Sequence, residues 1–418
     1  MASERRVVQL GDVVNLLTGF PFKSQFYTES PADPRLLGGD NIVQGSLRWE
    51  KVRRWPLAMT DGLDQYWLHE GDVVLAMDRP WIEAGLKRAA VGPHDLPALL
   101  VQRTARLRGT DELDTKFLRF LIGSREFTQH ILAVQTGTAV PHISPSQIKE
   151  FQFALPPLEE QRTIAEVLGT IDDKIEFNRR MNQTLEAMAQ TLFRSWFVDF
   201  DPVRAKAEGR QPNGMDAETA AQFPSRFVDS KQGKIPEEWE VHNWSELVSL
   251  EYGKALRHYS EGSVPVYGTN GRIGFHSTPL CAHAGVIVGR KGAYRGIHYS
   301  PVPFFVIDTA FYVEPCAPLE MRWVYYELLR EGVNSMDSGS AIPSTSRSDF
   351  YALKTIVPPH AIQSRFVDLL EPMWRRQQAN DQESRTLANL RDSLLPKLLS
   401  GELRVRGAEA QLAAIACS

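Results

Sequence analysis

Between Pro156 and Pro202 the apolar residues fall at alternating steps of four and three: Ile164, Leu168, Ile171, Ile175, then Leu185, Ala189, Leu192 and Trp196. That period of about 3.5 residues predicts a long helix with a narrow seam, as in a coiled coil. One glycine, Gly169, interrupts the run, and two seam positions, Asn178 and Asn182, are polar. About 40 helical residues would span roughly 60 Å.

The pattern returns 202 residues later, Pro156 falling on Pro358, with Gln363, Phe366, Leu370, Met373, Asn380, Leu387, Leu394 and Leu398. The match begins before the helix. Gly137-Thr138-Ala139-Val140-Pro141 falls on Gly339-Ser340-Ala341-Ile342-Pro343, and Ser144 and Ser146 fall on Ser346 and Ser348. Two copies are too few for a solenoid. They predict one polypeptide built as two halves, each a globular unit followed by a long helix.

The rest of the chain divides around these helices. Residues 1–155 form a first globular unit, with a buried strand over Val73–Met77 and a helix over Thr115–Gln129. Residues 156–200 are the central helix and 201–234 a linker without sustained periodicity. A second unit, 235–357, is opened by Trp239 as an anchor and built of strands joined by glycine turns. The distal helix takes 358–403, and 404–418 are a tail.

Composition narrows the function. The chain has 418 residues, 43% of them hydrophobic, and a net charge of −4. It is not basic as a whole, so any nucleic-acid contact must come from local patches or from a partner. Cys281, Cys316 and Cys417 are widely spaced and odd in number, which fits a reducing cytoplasm and neither a disulfide framework nor a zinc site. No apolar run approaches the roughly 20 residues of a membrane span. Local basic excess lies between Arg79 and Arg108, where Arg106 and Arg108 share a strand face, and again around Arg290. Either a phosphate track or a solvated surface explains it.

No catalytic constellation is visible. The ten histidines show no metal-ligand spacing, and no nucleophile elbow occurs. Gly268-Thr269-Asn270-Gly271 lacks the ending of a phosphate loop and reads as a tight turn. Asp72 and Glu83 read as ordinary surface acids. His142 has Ser344 as its counterpart, which argues against a catalytic role common to both halves.

These features together resemble the DNA-specificity subunit of type I restriction–modification systems. The resemblance rests on Leu155-Pro156-Pro157-Leu158-Glu159-Glu160-Gln161-Arg162, on Trp196-Phe197-Val198-Asp199-Phe200, on Gly233-Lys234-Ile235-Pro236-Glu237-Glu238-Trp239, on Val266-Tyr267-Gly268-Thr269-Asn270-Gly271 and on Leu394-Leu395-Pro396-Lys397-Leu398-Leu399-Ser400-Gly401. It implies a mixed α/β (α+β) fold: two target-recognition domains separated by two long helices in an antiparallel coiled coil, with a pseudo-two-fold internal repeat. It also implies a cytoplasmic, non-catalytic chain that reads a bipartite double-stranded DNA target. Two methyltransferase subunits would dock on it and carry S-adenosylmethionine. Restriction subunits, using ATP and Mg, can join. No cofactor would be bound by this chain. Two other readings stay open: a protein-binding scaffold that does not touch DNA, and a stand-alone DNA-modifying enzyme.

The expected DNA contacts are Arg79, Lys87, Arg88 and Arg103 in the first domain and Tyr267, Thr269, Asn270, Arg290 and Lys291 in the second. Gly137-Thr138 and Gly339-Ser340 would touch backbone in both. Asn can pair with adenine and Arg with guanine in the major groove. The expected helix seam and partner interface comprises Ile164, Leu168, Ile171, Asn178, Leu185 and Trp196 with Phe366, Leu370, Met373, Asn380, Leu387 and Leu394. Phe193, Trp196, Phe197 and Phe200 offer more apolar surface than one seam can bury, so they are expected to face a partner.

Overall fold

The computed structural model describes residues 5–49, 52–82, 85–137, 141–256, 260–292, 295–333, 336 and 343–403. The two periodic stretches are helices Leu158–Phe197, of 40 residues, and His360–Ser400, of 41. The chain divides into two compact units. The first is formed by residues up to Asn178 together with those from Asp381 onward, and the second is Arg179–Asn380. Each helix therefore gives one half to each unit.

Within each unit the helical halves run antiparallel. In the first, Asp172 meets Arg391 and Asn178 meets Glu383 and Ser384. Ile164, Leu168 and Ile171 share a buried core with Leu394 and Leu398. In the second, Asn182 meets Gln377 and Asn380, and Phe193 packs on Phe366 with ring centroids 5.7 Å apart. Asn178 and Asn380 are both buried. Leu185, Met373 and Leu387 are only partly buried, and at the Met373 turn of the helix it is Trp374 that fills the core.

The aromatic cluster at the end of the first long helix corrects the expectation of a partner surface. Phe193, Trp196, Phe197 and Phe200 are all buried inside the second unit, against Phe223, Tyr326, Trp239, Trp323 and Phe366. The expected linker supplies part of that cover. It carries helices Asp201–Ala207 and Ala217–Gln222 and a hairpin of Phe227–Ser230 with Gly233–Pro236. Val203 and Phe223 are fully buried there. Elements of one or two turns are too short to show a helical period, which is why composition alone reads as linker.

The globular parts share a plan that the sequence repeat does not reach. In the first unit, strands Val14–Thr18, Thr104–Gly109, Val73–Ala76 and Arg88–Ala90 make an antiparallel sheet in that order. In the second, Val248–Tyr252, Ala310–Pro315, Gly285–Gly289 and Ile297–Ser300 make the same sheet in the same order. A two-stranded ladder precedes each long helix, Arg6–Gln9 with Gln152–Leu155 and Glu240–Asn243 with Lys354–Val357. The helix expected over Thr115–Gln129 is broken at Gly123. Ser124 caps a second helix, Arg125–Val134, by accepting from the Phe127 amide, as N-cap serines do.

Each long helix is fastened to the globular part of its unit by a buried glutamine near its start. Gln161 Nε2 donates to the carbonyls of Glu112 (2.9 Å) and Pro156 (2.8 Å), and its Oε1 accepts from the Asp114 amide (2.8 Å). Its repeat mate Gln363 donates to the Pro358 carbonyl (2.9 Å) and accepts from the Glu320 amide (3.1 Å). Asp114 in turn caps the helix Thr115–Ile122.

Gly169 has the opposite character. A Cβ added there meets nothing within 4 Å, and the position lies inside a helix. Gly169→Ala should stabilise the first unit by about 0.5–1 kcal/mol, because Ala loses less backbone freedom in a helix. Urea unfolding of the pair of proteins measures this. A midpoint that falls instead would reveal a close neighbour at that face.

Candidate nucleic-acid interface

In the second unit the hairpin Val264–Gly268 with Gly271–His276 closes through Thr269-Asn270, Gly271 taking φ 116°. Thr269 and Asn270 keep negative φ, so the positive φ that hairpin connections use falls on the glycine that follows them. The turn packs on the segment after strand Gly285–Gly289. The Gly296 amide donates to the Thr269 carbonyl (2.9 Å), and a Cβ on Gly289 would lie 2.8 Å from that same oxygen. The segment is then gripped by the second copy of the repeat loop. Gly292 N–H donates to the Pro343 carbonyl (3.0 Å), Thr345 N–H to the Arg290 carbonyl (2.9 Å), and Thr345 Oγ1 to the Gly289 carbonyl (2.8 Å).

Thr269, Asn270, Arg290 and Lys291 are thus brought together at one end of the sheet. Asn270 and Lys291 are exposed. Arg290 is held: its guanidinium lies 4.8 Å from the ring of Tyr252, and Nη1 donates to the Asp308 carbonyl (3.1 Å). Arg347 stacks on the same tyrosine at 5.1 Å. Two cations on a half-exposed aromatic ring concentrate positive charge while leaving its outer edge open.

The first unit repeats the grip. Arg79 N–H donates to the Pro141 carbonyl (2.7 Å) and Ile143 N–H to the Met77 carbonyl (2.9 Å). Pro141 and Ile143 are the repeat mates of Pro343 and Thr345, so the residue 77 carbonyl plays the part of the residue 290 carbonyl. Asp78 lies between Arg103, 3.6 Å away, and His142. Arg79 and Arg103 both adopt left-handed backbone, φ 45° and 70°, a conformation that costs non-glycine residues of order 1 kcal/mol. Both side chains are exposed, as is Gly137. The serines after each loop cap helices alike: Ser144 accepts from Gln147 and Ser346 from Asp349.

Three expected contacts lie elsewhere. Tyr267 is a core residue, 9% exposed and edge-on to Phe304, because the turn begins only at Thr269. Arg88 packs into the unit against Gly123, where a Cβ would lie 2.3 Å from its guanidinium. Burial, and then the charge of Arg391, hold it down to about 10. Lys87 is half-buried, and burial lowers its pKa although Asp40 opposes the shift. Thr138, Gly339 and Ser340 lie outside the described residues, as does Glu83.

The strand face of Arg106 and Arg108 also belongs to the interior. Arg106 is 5% exposed and donates to the Gln65 carbonyl and to Asn15. Arg108 is bound by Asp72, itself 2% exposed, so Asp72 is a buried ion-pair partner and no surface acid. Sequence reading missed Asp78, Tyr252 and Arg347. Their role appears only once the sheet places them beside Arg103 and Arg290.

The two globular units are thus built alike, and each presents cations beside a loop from one internal repeat. Residues 3–187 match the family "Type I restriction modification DNA specificity domain". The chain is 25% identical over 329 residues to the MjaIX specificity subunit of Methanocaldococcus jannaschii, covering 71% of this chain and 70% of that protein. It is 33% identical over 184 residues to the EcoAI specificity subunit of Escherichia coli, covering 44% of this chain and 30% of that protein. The crystal structure of a type I restriction–modification S subunit from M. genitalium superposes with a TM-score of 0.54 at 17% identity, covering 94% of this chain and 96% of that one. The first unit's sequence thus matches the type I restriction–modification DNA specificity family, and most of the chain is similar to specificity subunits of such systems. No helix among the described residues is long and apolar enough to cross a membrane.

Proposed function

We propose that this specificity subunit reads a two-part double-stranded DNA target, each unit taking one half. The observation that carries the reading is the repeated grip: Pro141 and Pro343 hold equivalent segments, Met77–Arg79 and Arg290–Gly292, and each segment carries a cation, though at different register positions. A scaffold that never met DNA would have no use for a cation beside the repeat loop in both units. Catalysis falls to partners. Methyltransferases must extrude their target base, so a chain that addresses them needs contacts but no reacting groups. Two methyltransferase subunits binding S-adenosylmethionine would join one copy of this chain, and restriction subunits using ATP and Mg could follow. The exposed helical residues Phe177 and Met188, rather than the buried aromatics, are available to them.

Asn270→Ala tests the reading. Loss of a paired contact to one base is worth roughly 1–3 kcal/mol, so discrimination at that base should fall about fivefold or more. The other half of the target should be read as before. Methylation mapping with the partner methyltransferase reports both halves at once. Unchanged preference in both would remove Asn270 from the interface. Binding that neither depends on salt nor selects sequence would favour the scaffold.

A further inference from the structure

Strand Gly285–Gly289 leads into Arg290, and near its other end three donors of different chemistry meet. We propose that Cys281, His283 and Glu314 form a site for a borderline-soft divalent metal ion, zinc before others. Cys281 Sγ lies 3.6 Å from His283 Nε2 and 3.8 Å from Glu314 Oε1, and Nε2 lies 2.9 Å from Glu314 Oε2. In a tetrahedral zinc site with Zn–S of about 2.3 Å and Zn–N or Zn–O of about 2.0–2.2 Å, ligand atoms stand roughly 3.3–3.6 Å apart.

Each donor is placed by a separate restraint. Cys281 is 1% exposed and exchanges two main-chain hydrogen bonds with Phe304 (2.9 and 3.0 Å). Glu314 sits on strand Ala310–Pro315, opposite Ser249. His283 Nδ1 lies 2.9 Å from the Ala284 carbonyl. That contact keeps a proton on Nδ1 and turns Nε2 toward the carboxylate, the outer hydrogen bond that metal-bound histidines make. The sulfur lies as near Nδ1 (3.5 Å) as Nε2, beside the ring. A modest rotation of the half-exposed imidazole aims Nε2 between sulfur and carboxylate.

The first unit supplies the contrast. Arg108 holds the register position there, opposite Asn15, that Glu314 holds opposite Ser249. Its guanidinium binds Asp72 and the Trp67 carbonyl, so that crossing carries its own cation. The second unit has a carboxylate in its place. A bound metal restores positive charge and ties the loop before strand Gly285–Gly289 to the neighbouring strand. Sulfur and imidazole donors select zinc-like ions over calcium or magnesium. Solvent completes the fourth position, since His283 and Glu314 are partly exposed.

The competing occupant is a proton on Nε2, giving an imidazolium–carboxylate pair beside a thiol. Metal analysis and cobalt substitution of the purified full-length chain separate the two. Metal occupancy predicts about one zinc per chain. After exchange, cobalt should give the intense near-ultraviolet absorption of a thiolate–cobalt bond. Cys281→Ser should abolish that band and His283→Gln should lower metal content to background, while Cys316→Ser, at the exposed free cysteine, should leave both intact. Wild-type protein that takes up no zinc above the Cys281→Ser level, or cobalt without the sulfur band, overturns the proposal. The wild-type spectrum decides the matter even if a variant fails to fold.

Discussion

Inserting four helical residues after Arg179 and four more after Asp381 is expected to lengthen the gap between the two methylated half-sites by one or two base pairs. Both half-site sequences should stay the same. The two insertion points are repeat mates, 202 residues apart, and they fall between contacts that belong to different units. Asn178 meets Ser384 in the first unit and Asn380 meets Asn182 in the second, so neither pairing is cut. Four residues add about 6 Å of helix and turn the seam by roughly 40°, while a base pair spans roughly 3.4 Å. Polar residues such as these asparagines fix register in helix pairs, which should hold the lengthened pair in phase. Sequencing of methylated DNA from cells carrying the variant with its methyltransferase gives the gap directly. An active variant with the original gap would mean that something other than these helices sets the spacing.

Gln161→Leu is expected to cost the first unit about 3 kcal/mol, more than most single substitutions. The glutamine side chain satisfies three main-chain groups, the Glu112 and Pro156 carbonyls and the Asp114 amide. It is completely buried, and each group left without a partner costs roughly 1–3 kcal/mol. Leucine fills a similar volume, so the change isolates hydrogen bonding from packing. Gln363→Leu, which strands the Glu320 amide and the Pro358 carbonyl, should cost the second unit less. Denaturant unfolding followed by a probe in each unit measures both. A loss below 1 kcal/mol at Gln161 would mean that water takes over the amide's work.

The long helices and their repeat were legible because a seam period survives over 40 residues and glutamine, asparagine and proline recur at fixed spacing. The repeated sheet was not legible. Its strands are joined by loops of different length in the two units, so no constant offset relates them. Register recovers the relation: Asn15 pairs with Arg108 as Ser249 pairs with Glu314. The exposure of the candidate contacts was half legible. Asn270 and Lys291 stand where turn chemistry put them. Arg88 and Arg106 were misplaced because a charge count cannot tell a solvated arginine from one buried against a helix or an asparagine. The aromatics from Phe193 to Phe200 misled for a related reason. Apolar excess on one helix says that something covers it, and here the chain's own later residues, from Phe223 to Phe366, do so.

The division of both long helices between the units has a consequence for synthesis. The second unit, Arg179–Asn380, is a continuous run of chain, complete once Trp374 and Asn380 have left the ribosome. The first unit begins earlier yet lacks Leu394, Leu395 and Leu398, which belong to the same core as Val8 and Leu10. Residues arrive at about 5–20 per second, so the amino-terminal part waits many seconds for its last helix. The part of the protein made first is the part finished last, and a stop codon in the final turns would leave the older half open beside a completed neighbour.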